Sequence, residues 1–166
     1  RGRQGQAVTA ARILPLADCP GHAATLARWH HEHWGHFYDP ADWDLAIATA
    51  ELRDHASRRG RPTTLVALDG GQLLGSVSLV DEDAPELNDV GDAWLASLYV
   101  RPEARGQGLG ARLVRECVAL AAREGVRRLW LFTPEHASFY AALGWRPAGS
   151  ATLRGVPVQL MDILPA

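Results

Sequence analysis

The sequence predicts one α/β domain, and three observations carry that expectation. Apolar runs of strand length alternate with stretches of helical periodicity. A glycine-rich loop joins the most continuously apolar run to the most helical stretch of the chain. The 166 residues, 47% hydrophobic and 22% charged, suit one core rather than two.

The elements follow in order. ARILPLAD, Ala11 to Asp18, reads as a first strand, because its apolar residues are bounded by Pro20 and Gly21. AATLARWHHEHW spaces its apolar residues for a helix. PADWDLAIATAELRDHASRRG predicts a second helix, with Asp39 as N-cap, Pro40 in the first turn and Gly60 as its stop. TTLVALD and QLLGSVSLVD flank Gly70 and Gly71, which predicts a hairpin. AWLASLYV, Ala93 to Val100, is apolar almost without a break, as suits a central strand buried on both faces. From Leu109 onward Leu113, Val114, Cys117, Val118, Leu120 and Ala121 share one face of a helix, while Arg112, Arg115, Glu116, Ala119 and Arg123 share the other. RRLWLFT is a further strand, PEHASFYAAL a short helix ended by Gly144, and VPVQLMDIL a closing strand. The stretch from Trp145 to Leu153 leaves room for an extra one.

Composition narrows the function. A net charge of -2 and a pI near 6.4 give no overall basic field for a nucleic-acid backbone, so nucleic acid is not expected as a partner. No apolar run approaches the roughly 18 residues of a membrane span, so a membrane is not expected either. RGRQGQAVTA, without Met or an apolar stretch, is expected to be a processed and disordered tail over 1–10, leaving 11–166 as the domain. Cys19 and Cys117 lie far apart, and Cys117 falls on an apolar helix face, which points to a buried thiol in a reducing cytoplasm. Oligomeric state stays open, a homodimer included.

The loop RGQGLG, Arg105 to Gly110, suits a phosphate. Backbone N–H groups converge where no Cβ blocks approach, and a helix N-terminus adds partial positive charge. A Walker A loop is excluded, since Ala111 and Arg112 stand where Lys and Ser or Thr would follow the last glycine. A dinucleotide fingerprint fits poorly, because RPEA separates strand from glycine and three strands come earlier. The wider run LYVRPEARGQGLGARLV resembles the acetyl-CoA-binding motif of the GCN5-related N-acetyltransferases: Arg or Gln, two residues, Gly, one residue, Gly or Ala. Arg105, Gly108 and Gly110 occupy its defined positions. Downstream, FYAALGW, Phe139 to Trp145, resembles the family's second segment. Two matches in order, spanning about Trp94 to Pro147, are far more specific than either alone.

The resemblance implies a GNAT-like acyl-CoA N-acyltransferase fold: a mixed central sheet of about six to seven strands, helices on both faces, and a strand splay at the cofactor site. It implies acetyl-CoA as cofactor, wrapped at the pyrophosphate by Arg105, Gly106, Gln107, Gly108, Leu109 and Gly110, with the pantetheine arm paired along Leu98, Tyr99 and Val100. Acetyl transfer from a thioester to an amine needs a neutral amine, a donor for the oxyanion and a proton for the departing thiolate. The resemblance points to a backbone N–H on the 98–100 strand for the oxyanion and to Tyr140 for the proton. Asp92, just before that strand, is the candidate base, acting through water, and Asp81 to Asp83 are available to line the same cleft; a hydrated loop acid is the alternative for each.

HHEHWGH, His30 to His36, invites a metal reading, but it has no His-Glu-x-x-His motif and no cysteine nearby, so no metal is expected. His30, His33 and Trp34 on that helix, with Trp94, are placed instead at the acceptor mouth; an amphipathic helix with exposed histidines, and core tryptophans, are the plain alternatives. The acceptor is expected to be a small-molecule or peptide amine. Beside the acetyltransferase stand two other classes, a catalytically silent acyl-CoA sensor on the same fold and an unrelated nucleotide-phosphate module.

Overall fold

The computed structural model describes residues 10–166. The expected 1–10 tail thus lies outside the described residues, apart from Ala10, which sits in a turn. The chain runs β1 (Arg12–Pro15), α1 (Ala23–Trp34), α2 (Leu45–His55), β2 (Thr63–Asp69), β3 (Gln72–Val80), β4 (Trp94–Val100), α3 (Leu109–Arg123), β5 (Leu129–Thr133), α4 (Ala137–Ala141), β6 (Arg146–Leu153) and β7 (Val156–Ile163). The strands form one seven-stranded sheet in the order β1-β2-β3-β4-β5-β7-β6, and the extra strand is β6. All neighbours are antiparallel except β4 and β5, so the sheet is mixed.

Several expected boundaries shift for local reasons. The first strand ends at Pro15, because Leu16–Asp18 coil into a 3-10 turn closed by Cys19 N–H donating to the Leu16 carbonyl at 2.9 Å. Asp39 is not the cap of α2. Its carboxylate accepts from Ala41 N–H at 2.8 Å in a turn of its own, and Asp44 caps α2 by accepting from Ile47 N–H at 2.8 Å. Pro40 therefore precedes α2, and the helix ends at His55, well before Gly60.

Two apolar cores lie across the sheet. On one face α3 buries Leu109, Leu113, Val114, Cys117 and Ala121 against Val77, Leu79, Leu95 and Leu131, joined by Tyr140 and Trp145. The Cys117 thiol is fully buried there, and burial pushes its pKa to about 12, so it stays protonated and inert. On the other face α1 and α2 cover Val66 and Leu73, while Val80, Leu87, Trp94, Trp130 and Leu160 pack beyond them. Asp162, 2% exposed, ties β7 to its neighbours by accepting from Arg128 Nε at 2.6 Å and Arg146 Nε at 3.0 Å. Among the described residues no helix is long and apolar enough to cross a membrane.

Two features of β4 shape the site. Its pairing with β5 is limited to Trp94 opposite Trp130, where Trp130 N–H donates to the Ala93 carbonyl at 3.0 Å, and beyond this point the strands separate. The expected splay is therefore present. Its pairing with β3 breaks between Ser76 and Ser78: Ser78 faces Ala96 but Ser76 faces Tyr99, so Ser97 and Leu98 share one opposite residue. Ser97 takes φ +53°, a left-handed conformation that costs a non-glycine residue about 1–2 kcal/mol. From the bulge on, Ser97 to Val100 are half-buried, so the expected burial on both faces holds only for Ala93 to Ala96.

Gly75, opposite Val100, lets the strands approach here. A Cβ on it would lie 2.5 Å from the Tyr99 carbonyl oxygen and 3.3 Å from Leu113 Cδ1. Gly75→Ala is expected to destabilise the fold by about 1–3 kcal/mol in chemical denaturation, since backbone must move to admit the methyl; a value within about 0.5 kcal/mol of wild type would show that β4 yields freely there.

Candidate active site

The glycine loop leaves β4 and turns into α3. Gly106 (φ +76°) and Gly108 (φ +84°) are both left-handed, and a Cβ on either would project into open space. Glycine is needed here for the backbone angle, and the space it leaves is unfilled. Gly110 differs, since a Cβ there would meet Phe139 Cζ at 3.6 Å and Val100 Cγ2 at 3.9 Å, which brings α4 against the start of α3. The backbone N–H groups of Gly106 through Ala111 find no acceptor among the described residues. Unpaired donors at the N-terminus of a 15-residue helix form an anion cradle. Arg105 donates through Nε to the Val100 carbonyl at 2.7 Å and lies 5.6 Å over the Tyr99 ring, so it braces the loop while bringing its charge to it. Leu109 is buried in the core and anchors the helix start.

Leu98, Tyr99 and Val100 end the splayed strand. Leu98 and Val100 turn toward the α3 core, and Tyr99 turns to the opposite face. There the helix α1 surrounds it: Trp29, His30, His33 and Trp34 have ring centroids 5.8, 6.2, 5.3 and 6.1 Å from that of Tyr99. The histidine segment thus packs on the cofactor strand. His30, expected at the acceptor mouth, is only 5% exposed, its Nε2 lies 2.9 Å from Ser76 Oγ, and burial with repulsion from His55 and His33 lowers its pKa to about 3. An acceptor cannot reach it. His33 is exposed at the loop side, its pKa lowered first by partial burial and then by Arg105. Trp34 stands beside both. Trp94 is the clearest correction: 1% exposed, it donates through Nε1 to the Gly91 carbonyl at 3.0 Å and packs on Trp130, so it belongs to the core.

Tyr140 lies on α4, directly after β5, the other arm of the splay. It is 8% exposed between Phe139 and Trp145, at centroid distances of 5.0 and 6.0 Å. Burial first, then the charges of Asp83 and Cys117, push its hydroxyl to about 12. Asp92 is not brought to this place. It is exposed, its carbonyl accepts from Arg61 Nη1 at 3.2 Å, and it precedes Leu98 by a length of strand of about 20 Å. Asp81 is paired with the same arginine at 2.9 Å.

Asp83 is half-buried, and its charge is one of the causes that raise the Tyr140 pKa. Burial, then the Glu51 carboxylate, raises the Asp83 pKa to about 7 against the opposing pull of Arg154. The charge of Asp83 and that of Glu51 on α2 also raise the pKa of Tyr38 in the α1–α2 connection, behind burial. Trp43 Nε1 donates to Glu51 Oε1 at 3.1 Å, its ring is 5.0 Å from that of Tyr38, and the Arg154 guanidinium lies 4.3 Å over Tyr38. Arg154 comes from the β6–β7 turn and also reaches Glu86 at 4.0 Å, so this acid and aromatic cluster draws on separate parts of the chain. Of these residues the sequence marked Asp83, as one of three loop acids; Tyr38, Trp43, Glu51 and Arg154 carry no motif. Among the described residues no group of three or more His, Cys, Asp or Glu is placed to hold a metal ion.

The fold as a whole is shared with solved structures of acetyltransferases. The aminoglycoside 6'-acetyltransferase type Ii structure superposes at TM-score 0.71 and 19% identity, over 93% of this chain and 97% of its own. Salmonella typhimurium yncA, solved with its cofactor acetyl-CoA, gives 0.70 and 17% over 95% of each chain. A spermidine N-acetyltransferase chimera of Vibrio cholerae SpeG and hSSAT gives 0.67 and 16%, over 94% of this chain and 96% of its own. At such identities the likeness speaks for the fold. No curated protein sequence matches the chain. The family model "Acetyltransferase (GNAT) family" matches residues 23–145, which include both motifs, and gives no support to a nucleotide-phosphate module or a silent sensor. The chain belongs to the GNAT acetyltransferase family, whose cofactor is acetyl-CoA.

Proposed function

We propose that the protein is an N-acetyltransferase that moves the acetyl group of acetyl-CoA to a primary amine of a small-molecule or peptide acceptor, by direct attack in a ternary complex. The observation that carries this reading is the open fork between β4 and β5, with the N–H cradle of 106–111 following β4 and Tyr140 on the helix that follows β5. Bound there, acetyl-CoA supplies an acetyl group activated as a thioester.

Gly106, Gln107, Gly108, Leu109 and Gly110 would hold the pyrophosphate with their unpaired N–H groups, and the Arg105 guanidinium adds charge from the strand end. Leu98, Tyr99 and Val100 offer the backbone edge that β5 leaves unpaired, both to orient the pantetheine arm and to donate an N–H to the acyl oxygen.

Tyr140 holds its proton throughout the physiological range, since its pKa is about 12. Passing that proton to a thiolate of pKa about 8.5 is uphill by roughly 5 kcal/mol, a tolerable part of a catalysed barrier. Asp83 takes the place proposed from the sequence for Asp92. With a pKa near 7 it is ionised at mildly alkaline pH and able to accept the proton of an arriving ammonium, directly or through water. Glu51 and the Tyr38 and Trp43 rings suit a cationic acceptor. Two structural neighbours are named for amines of that class, an aminoglycoside and spermidine. His33 and Trp34 remain available to the acceptor where it meets the cofactor strand.

Three measurements test this reading. Gly108→Glu places a side chain and a negative charge in the cradle at φ +84°, so acetyl-CoA binding should be lost in calorimetry while circular dichroism stays native; undiminished affinity would remove the phosphate assignment. Tyr140→Phe keeps the ring and its packing. Turnover should fall by about 100-fold or more, with acetyl-CoA affinity little changed; normal kcat with reduced stability would mark the hydroxyl as structural. Asp83→Asn should lower kcat/KM at pH 8 and abolish an acid limb with its midpoint near 7. The folded chain keeps the Asp83 proton up to about pH 7, whereas the unfolded chain releases it near 4, so wild-type stability should drop as pH rises through that window. The asparagine variant should lack that drop, and an identical pH–stability curve would contradict the raised pKa.

A further inference from the structure

The bulge in β4 has no glycine to ease it. Ser97 sits at φ +53°, and it shares with Leu98 the place opposite Val77, between the pairs Ser78–Ala96 and Ser76–Tyr99. A bulged residue loses its ladder partner, and a left-handed serine persists only where its surroundings fix it. What meets the Ser97 carbonyl is a side chain, the Ser76 hydroxyl, which donates to it at 3.3 Å.

A carbonyl only accepts, so in this bond the Ser76 proton points at Ser97, and Ser76 Oγ keeps its lone pairs for its other neighbour. That neighbour is His30 Nε2 at 2.9 Å, and the tautomer with the ring proton on Nε2 is the one that lets both bonds form at once. His30 and Ser76 are 5% and 0% exposed. A buried imidazole–hydroxyl pair adds little stability over an apolar pair of like shape. Its presence under the one strained residue of the cofactor strand points to a positional role. Burial keeps the imidazole neutral at any working pH, so the pair does not change its charge as pH varies.

We propose that His30 is a positioning residue which, through the Ser76 hydroxyl, fixes the Ser97 carbonyl and holds β4 in its bulged form, so that the N–H groups of Leu98 to Val100 face the open fork. The ring also packs edge-on to Tyr99 at 6.2 Å, against the very residue whose side of the sheet the bulge sets. This role rests on the acetyl-transfer reading above.

The test compares Ser76→Ala, His30→Leu, the double variant and His30→Gln with wild type, measuring turnover with an amine panel, acetyl-CoA affinity by calorimetry and unfolding by denaturant. Ser76→Ala and His30→Leu should each lower kcat by about 10- to 100-fold, with acetyl-CoA affinity within about threefold of wild type, because a donor misplaced by a fraction of an ångström harms the chemical step more than binding. The double variant should be no slower than the worse single one, as members of one chain are not additive. His30→Gln, whose amide N–H can replace Nε2–H, should recover most of the rate. Normal kcat in Ser76→Ala, or losses that multiply in the double variant, would overturn the proposal. If the wild-type protein turns over no amine, the acetyl-transfer reading fails by itself, and hydrogen exchange at the amides of Ser97 to Val100 in the free protein then decides. Faster exchange there in both single variants, at unchanged exchange in α3, supports the relay; unchanged exchange overturns it.

Discussion

A single residue pair, Trp94 with Trp130, joins β4 to β5, and the site exists because pairing stops there. Past that point β4 is held only by β3 and β5 only by β7, so each strand presents a free backbone edge to the gap. Such an edge is costly to bury without a partner, and an extended thioester arm is the kind of chain that satisfies it. The fork is kept from closing by what lies behind it. The Trp94 and Trp130 rings pack 6.2 Å apart at its base, and the α3 core spans both arms from one side. Each arm then delivers one chemical part, β4 the glycine loop and β5, through α4, the hydroxyl of Tyr140.

The bulge gives β4 a second function. Side chains alternate faces along a strand, so a regular strand would put Leu95, Ser97 and Tyr99 on the α3 side. One inserted residue reverses the alternation: Leu98 and Val100 join the α3 core, and Tyr99 falls among the rings of α1. The first helix is thus bound to the cofactor strand through an aromatic contact that a change of register would abolish. From the histidine-rich segment, His30, His33 and Trp34 contribute to that packing.

Much of this was legible because local chemistry and tertiary need agreed. The Gly70–Gly71 hairpin, the amphipathic α3 and the continuously apolar β5 follow from periodicity and turn residues, and all fall close to where the sequence puts them. The glycine loop was readable because a left-handed backbone at an open cradle demands glycine. What stayed hidden was decided at a distance. Asp39 and Asp44 are both plausible caps, and the choice depends on which one meets a helix already packed through Ala48 and Leu52. The bulge at Ser97 leaves no trace, since serine replaces the expected glycine and its support comes from β3 and α1. Trp94 is aromatic in either reading, and only the sheet shows that it faces the core. Asp92 and Asp83 are both loop acids. They are told apart by Glu51 and Arg154, contributed by α2 and the β6–β7 turn, which no local pattern connects to them.

The same long-range grouping gives the proposed reaction its order. The negative charge of Asp83 is one of the causes that hold the Tyr140 hydroxyl near 12. While that carboxylate is ionised, the tyrosine is a reluctant acid, which protects its proton before an acceptor arrives. Once Asp83 takes a proton from the amine, its charge is gone and with it that part of the upward shift. Tyr140 then gives its proton more readily, at the stage when a thiolate is leaving. Burial, the larger cause, is unchanged by the transfer, so the gain is partial. In the proposed reaction, base and acid are thus coupled through space, and the sign of that coupling favours deprotonation of the amine before protonation of the sulfur.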